Sequence, residues 1–278
     1  MTPPSKPKQP GAQSEAHDAQ SQQLDDEKRG VIRAVLCQSP IWIASVATVM
    51  MTGALHSWSD IEYLLFSTLV ATPAVLAPIF FPGHSARPSP WWQSYWLKLN
   101  IWVAIVVGMG TYAGTAYFFD LMQMRYSFDV QWTFSSDVVG HSWQRVPVFI
   151  YPLTHAYFMT YFTVLMASES YLVKRFVLRS FTARATVVVL LSYVVAFLET
   201  YFMASPLLSD FFAYKSRHRM LTLGSWGYAS YFVVGLPMVQ RIESGASWTL
   251  ERVVLEALAT CMMILGLLEA WAKIVGPL

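Results

Sequence analysis

From Ala185 to Ala204 the chain reads ATVVVLLSYVVAFLETYFMA, with a single charge, Glu199, near its far end. A helix of about 20 apolar residues, rising about 1.5 Å per residue, crosses a hydrocarbon core of roughly 30 Å. No other stretch so constrains the fold, because a run this long and this apolar belongs in lipid. A carboxylate inside it costs ~2.5–3.5 kcal/mol on insertion scales, so it usually faces a bundle interior and usually serves a function. Glu199 is therefore the first candidate functional residue, and the rest of the chain is read for its partners.

Seven apolar segments recur, approximately Ser39–Trp58, Ile61–Pro82, Tyr95–Leu121, Val146–Val173, Thr182–Leu207, Met220–Gln240 and Leu250–Val275. Charged residues make up only 13% of the chain, against about 25% in soluble domains. The expected fold is all-α: a polytopic membrane bundle of about seven transmembrane helices forming a single domain over residues 33–278. Ser59–Asp60 is so short that the first two helices must form an antiparallel hairpin, and Pro73 and Pro78 are expected to kink the second. Residues 1–32 are Pro/Gln/Ser/Ala/Asp-rich and read as a disordered cytoplasmic tail. The tail lacks the features of a signal peptide, so the first apolar helix is expected to direct insertion. Twelve of the 19 Lys and Arg residues fall on the amino-terminal side and six on the other, with Lys98 inside helix three. That balance favours a cytoplasmic amino terminus. The chain is thus an integral multi-pass protein, of the endoplasmic reticulum if eukaryotic or the inner membrane if bacterial.

Net charge is +2, too balanced for a nucleic-acid partner. Cys37 and Cys261 stand at opposite ends of the chain and read as packed, inert thiols. The connection from Met122 to Arg145 carries Tyr126, Phe128, Trp132, Phe134 and Trp143. It is too aromatic for a solvated linker, and a flap on the bilayer surface or over a pocket mouth fits better.

Counting residues places side chains at depths. His155 lies 23 residues before Leu178, the centre of a short basic loop, and Glu199 lies 21 after it. In an antiparallel pair their offset is about 3 Å. Similar counts put Tyr112, Tyr228 and Glu269 at the same level, with Glu62 a little above. Plainer readings exist for each: a packed His155, interface tyrosines, Glu269 paired with Lys273 four residues on, and Glu62 complementing a helix start.

The stretch Tyr95-Trp96-x-Lys98-x-Asn100-x-Trp102 resembles the cycloeucalenol cycloisomerase family, enzymes of plant-type sterol synthesis that open a 9β,19-cyclopropane ring. The resemblance continues through Glu62-Tyr63-Leu64-Leu65, Tyr126-x-Phe128, Leu153-Thr154-His155, Leu198-Glu199-Thr200 and Tyr228-Ala229-x-Tyr231-Phe232. It covers roughly Pro40 to Pro277, and the chain departs from the family pattern at Thr111, Ala116, Val148 and Glu269. It implies a sterol substrate and a lipid surrounding.

A cyclopropane is a feeble base, so its opening needs a well-aimed acid in a dry site. A carboxyl group surrounded by hydrocarbon favours its neutral, proton-bearing form. Glu199 is the expected acid, giving its proton to the ring methylene that becomes the C19 methyl; the C9 cation then loses the C8 proton. His155 is expected to orient or reprotonate Glu199, or to receive that proton. Tyr112 and Tyr228 offer π faces to the cation, worth ~2 kcal/mol when desolvated. Glu62, Tyr95, Asn100, Glu269 and Trp132 complete the candidate substrate-binding set. The isomerisation requires no cofactor or metal, and the sequence carries no dinucleotide fingerprint and no His/Cys ligand spacing. A sterol Δ8–Δ7 isomerase-like enzyme, and a proton-coupled transporter or lipid-binding protein, are the alternatives.

Overall fold

The computed structural model describes residues 10–80, 90–134, 145–244 and 246–278. The flap residue Trp143, and Lys6, Lys8 and Arg87 of the charge count, lie outside the described residues. The helices are α1 Pro10–Thr52, α2 Asp60–Phe80, α3 Tyr95–Met109, α4 Thr115–Asp120, α5 Ile150–Arg175, α6 Phe181–Met203, α7 Arg217–Arg219, α8 Ser225–Gln240 and α9 Leu250–Val275. Five-residue π-helical turns, Gly110–Gly114 and Met220–Gly224, fuse α3 to α4 and α7 to α8. The described residues therefore form seven helical rods. Five of these are long and apolar enough to cross a membrane: Ser21–Thr52, Asp60–Phe80, Tyr95–Asp120, Phe181–Met203 and Leu250–Val275.

The other two rods hold the middle of the bundle. Helix α8 buries Tyr231, Phe232, Gly235 and Leu236, and α5 buries Phe158, Met159, Phe162 and Leu165. Helix α6 is the reverse case. Its most apolar window has mean hydropathy 2.0, yet only 11% of it is buried. Its side chains are apolar because lipid is their solvent, not because they fill a core.

Helix α1 begins at Pro10, so residues 10–32, read from the sequence as part of a disordered tail, are helical, while residues 1–9 lie outside the described residues. The physical reason is a sparse stripe: Leu24, Val31, Val35, Trp42, Val46 and Met50 are all buried at helical spacing. Gln, Glu, Ala and Lys between them are good helix formers despite their polarity. Glu27 accepts the Tyr95 backbone N–H at 2.6 Å, docking α1 against the positive end of α3. Gly53, in the left-handed region at φ 69°, closes the turn after α1, and α2 runs unbroken through Pro73 and Pro78.

Two short antiparallel ladders cap the end where α4 and α6 stop. Strand β1 (Met124–Tyr126) pairs with β4 (Phe212–Tyr214), and β2 (Thr133–Phe134) with β3 (Val146–Pro147). Phe128, after β1, stacks on Phe211 at 5.5 Å and meets Phe149 edge-on at 5.0 Å.

Candidate functional site

Beneath that cap lies a cavity of about 170 Å³, measured as the space open to a water molecule's centre. Helix α5 turns Ile150, Leu153, Thr154, Tyr157 and Phe158 towards it, the spacing of one helical face. Helix α1 contributes Val46 and Met50, the cap Met124, Tyr126, Phe128, Phe212 and Tyr214, and α8 Tyr228 and Tyr231. The described part of the aromatic loop thus roofs a cavity.

Glu199 of α6 opens onto this space. The Tyr228 hydroxyl donates a hydrogen bond to its Oε2, and Tyr161 makes a second side-chain hydrogen bond to the same group. Tyr126, Tyr157 and Tyr214 stand close enough to feel its charge. The carboxyl group is therefore caged by phenols from β1, α5, β4 and α8. Burial first, then the neighbouring Glu199, pushes the Tyr126 and Tyr214 phenols above the ordinary tyrosine value, so both cap hydroxyls stay protonated at neutral pH.

The first π turn serves this geometry. A π turn inserts one residue, rotating all that follows by about 100°, and such turns are frequent at functional sites. At the first, glycine is required by close approach: a Cβ on Gly114 would lie 2.1 Å from the Tyr231 hydroxyl oxygen, and one on Gly110 2.8 Å from its ring. Tyr231 can therefore lie against α3 and abut Tyr228 at 5.8 Å between ring centroids. Phe118 of α4 meets Tyr228 edge-on at 5.4 Å.

Of the residues expected from the sequence, Glu199 and Tyr228 are brought together. The others are not among the residues lining the cavity. His155 faces a different side of α5, its Nε2 donating to Asn100 Oδ1 at 3.1 Å, while Asn100 Nδ2 donates to the Trp96 carbonyl at 3.0 Å. Tyr112 is 42% exposed on the outer side of its π turn, and Trp132 is 48% exposed. Glu62 accepts from the Ser59 backbone N–H at 2.6 Å and hydroxyl at 2.9 Å, a capping box that starts α2. Glu269 is exposed, bonded by the Tyr117 hydroxyl at 3.2 Å and paired with Lys273 at 3.7 Å. Tyr95 is buried against Met166. Counting residues gives these groups a depth. It gives no direction around a helix axis, and direction is what separates them from the cavity.

The groups missed are Tyr126, Tyr157, Tyr161 and Tyr214. Tyr157 and Tyr161 sit four apart in α5, on one face of a helix, and that spacing was the available signal. Lys98 also stands elsewhere. With Glu243 it forms an ion pair whose side chains are 1% and 0% exposed, outside the cage around Glu199.

With this geometry established, comparison with known proteins finds 28% identity over 258 residues to the cycloeucalenol cycloisomerase of Arabidopsis thaliana, covering 87% of this chain and 85% of that one. The chain is similar to a cycloisomerase. The aligned length takes in nearly all the rods and therefore the Glu199 cavity. No family model and no solved structure matches.

Proposed function

We propose that this chain is a membrane-embedded sterol isomerase that opens the 9β,19-cyclopropane ring of a cyclopropyl sterol to give the Δ8 product. The observation that carries this reading is the carboxyl group of Glu199, held by Tyr228 on the wall of a cavity built mostly from aromatic and aliphatic side chains. Similarity to a cycloisomerase over most of the chain supports it. The seven rods are read as seven membrane crossings with a cytoplasmic amino terminus.

The sterol ring system lies against Phe158, Phe118, Phe149 and Phe212, which exclude water from a cation that water would otherwise trap. Glu199, neutral between turnovers, gives its proton to the cyclopropane methylene. The electron pair of the C9–C19 bond becomes the new C19–H bond, and positive charge develops at C9. Tyr228 and Tyr161 hold the carboxylate in place as its charge appears. The π faces of the surrounding tyrosines stabilise the cation by ~2 kcal/mol where they are desolvated. Loss of the C8 proton completes the alkene. His155, bonded to Asn100 outside the lining, has no part in this sequence of steps.

The test is to incubate the purified full chain, in lipid nanodiscs, with a 9β,19-cyclopropyl sterol and to follow the product by gas chromatography and mass spectrometry. Ring-opened Δ8 sterol is expected from the wild-type chain and none from a folded Glu199→Gln variant. Unchanged sterol from the wild-type chain refutes the reading, and turnover by the variant refutes the assignment of the acid.

A further inference from the structure

Ring opening needs two proton transfers, one in and one out, and the cavity offers few groups for the second. Among the described residues that line it, Glu199 is the one carboxylate, accompanied by no imidazole or amine. The other polar side chains there are neutral phenols and threonine hydroxyls, which are poor bases at neutral pH. His155 is turned to Asn100 instead.

We infer that Glu199 performs both transfers: it donates the proton to C19, takes the proton from C8, and carries that same proton into the next turnover. This rests on the reading of the chain as a cyclopropyl sterol isomerase. The two substrate atoms are both bonded to C9, so one carboxyl group reaches both, one oxygen giving while the other receives. Oε2 is anchored by the Tyr228 hydroxyl, and the carboxyl group it holds lines the cavity. The balance closes on the residue itself. Glu199 begins neutral and loses H⁺ to C19 as the C9–C19 bond breaks. Its carboxylate then accepts H⁺ from C8 as that C–H electron pair becomes the C8–C9 π bond. It ends neutral, with no base, water or cofactor consumed. The phenols of Tyr228 and Tyr161 bond the carboxyl group that keeps the recovered proton, and Tyr126 and Tyr214 line the cavity beside it.

Isotope crossover tests this. The wild-type chain is given a mixture of two cyclopropyl sterols in ordinary water, one carrying deuterium at C8 and the other a ¹³C tag with hydrogen at C8. Product masses and the C19 methyl are then analysed. The expected result is deuterium at C19 of the ¹³C-tagged product, in a share that rises with sterol concentration as the next substrate outpaces exchange with water. Product free of deuterium even at saturating sterol overturns the inference while leaving the isomerase reading intact. Deuterium retained only in the molecule that supplied it also overturns it, since that is a direct shift from C8 to C19. Absence of any ring-opened product is the distinct result that removes the isomerase reading.

Discussion

Replacing Tyr228 with Phe removes one hydroxyl from the cage and leaves the rest of the ring. The ring's aromatic neighbours, Phe118 at 5.4 Å, Phe232 at 5.5 Å and Tyr231 at 5.8 Å, are retained by the variant, so its fold should be unchanged. What is lost is the hydrogen bond to Glu199 Oε2. Hydrogen bonds to charged groups are worth ~1.5–3 kcal/mol, more than those between neutral groups. In the proposed mechanism Glu199 becomes charged only as the proton leaves, so the loss falls mainly on the transition state and not on sterol binding. At about 1.36 kcal/mol per tenfold, kcat should drop roughly 10- to 150-fold while KM stays nearly constant. The assay is steady-state formation of the Δ8 sterol in nanodiscs, with a thermal melt of each variant to verify folding. A kcat for Tyr228→Phe within threefold of wild type, from a protein with unchanged melting temperature, refutes the argument that this phenol supports the departing proton.

Four further outcomes follow from the same structure. Gly114→Ala forces a Cβ to within 2.1 Å of the Tyr231 hydroxyl oxygen, so it should destabilise the chain by ~1–3 kcal/mol. Adding Tyr231→Phe removes the clashing atom and should recover most of the melting temperature, and simple additivity in this double-mutant cycle would count against the packing account. Lys98→Met removes the cation from the buried Glu243 pair and should cost ~3–5 kcal/mol. Adding Glu243→Gln, which keeps an acceptor for the Trp248 N–H, should restore part of that loss in the melt. Glu62→Ala and Glu269→Ala remove exposed groups outside the cavity and should leave kcat/KM within about twofold, exposed pairs being worth ~0–1 kcal/mol. His155→Gln should lower the melting temperature through its bond to Asn100 while leaving kcat within a few-fold, and a thousandfold fall in kcat would return it to the chemistry.

The sequence carried the seven rods, with boundaries close to those observed except at the start of the first, because long apolar runs and their loop signals are local properties. It carried the depth match of Glu199 and Tyr228 for the same reason: depth follows from counting residues at a fixed rise. It did not carry the helical start of α1, where Leu24, Val31 and Val35 are too thinly spaced among polar residues to register as an apolar segment.

What a chain like this states by itself is where along the membrane normal each side chain stands, since the rise per residue is set by backbone hydrogen bonding and needs no neighbours. Which way a side chain points is settled by rotation about the helix axis, and that depends on the partners each rod packs against. The π turns after Met109 and Arg219 alter that rotation without leaving an apolar-pattern signature. The Glu199 cage is assembled from four separate elements, with Tyr126 and Tyr214 brought in only by pairing of β1 with β4. Such a cage exists only once the bundle has closed, and for that reason only the tertiary structure could separate Glu199 and Tyr228 from His155, Tyr112 and Glu269, which residue counting puts at one level.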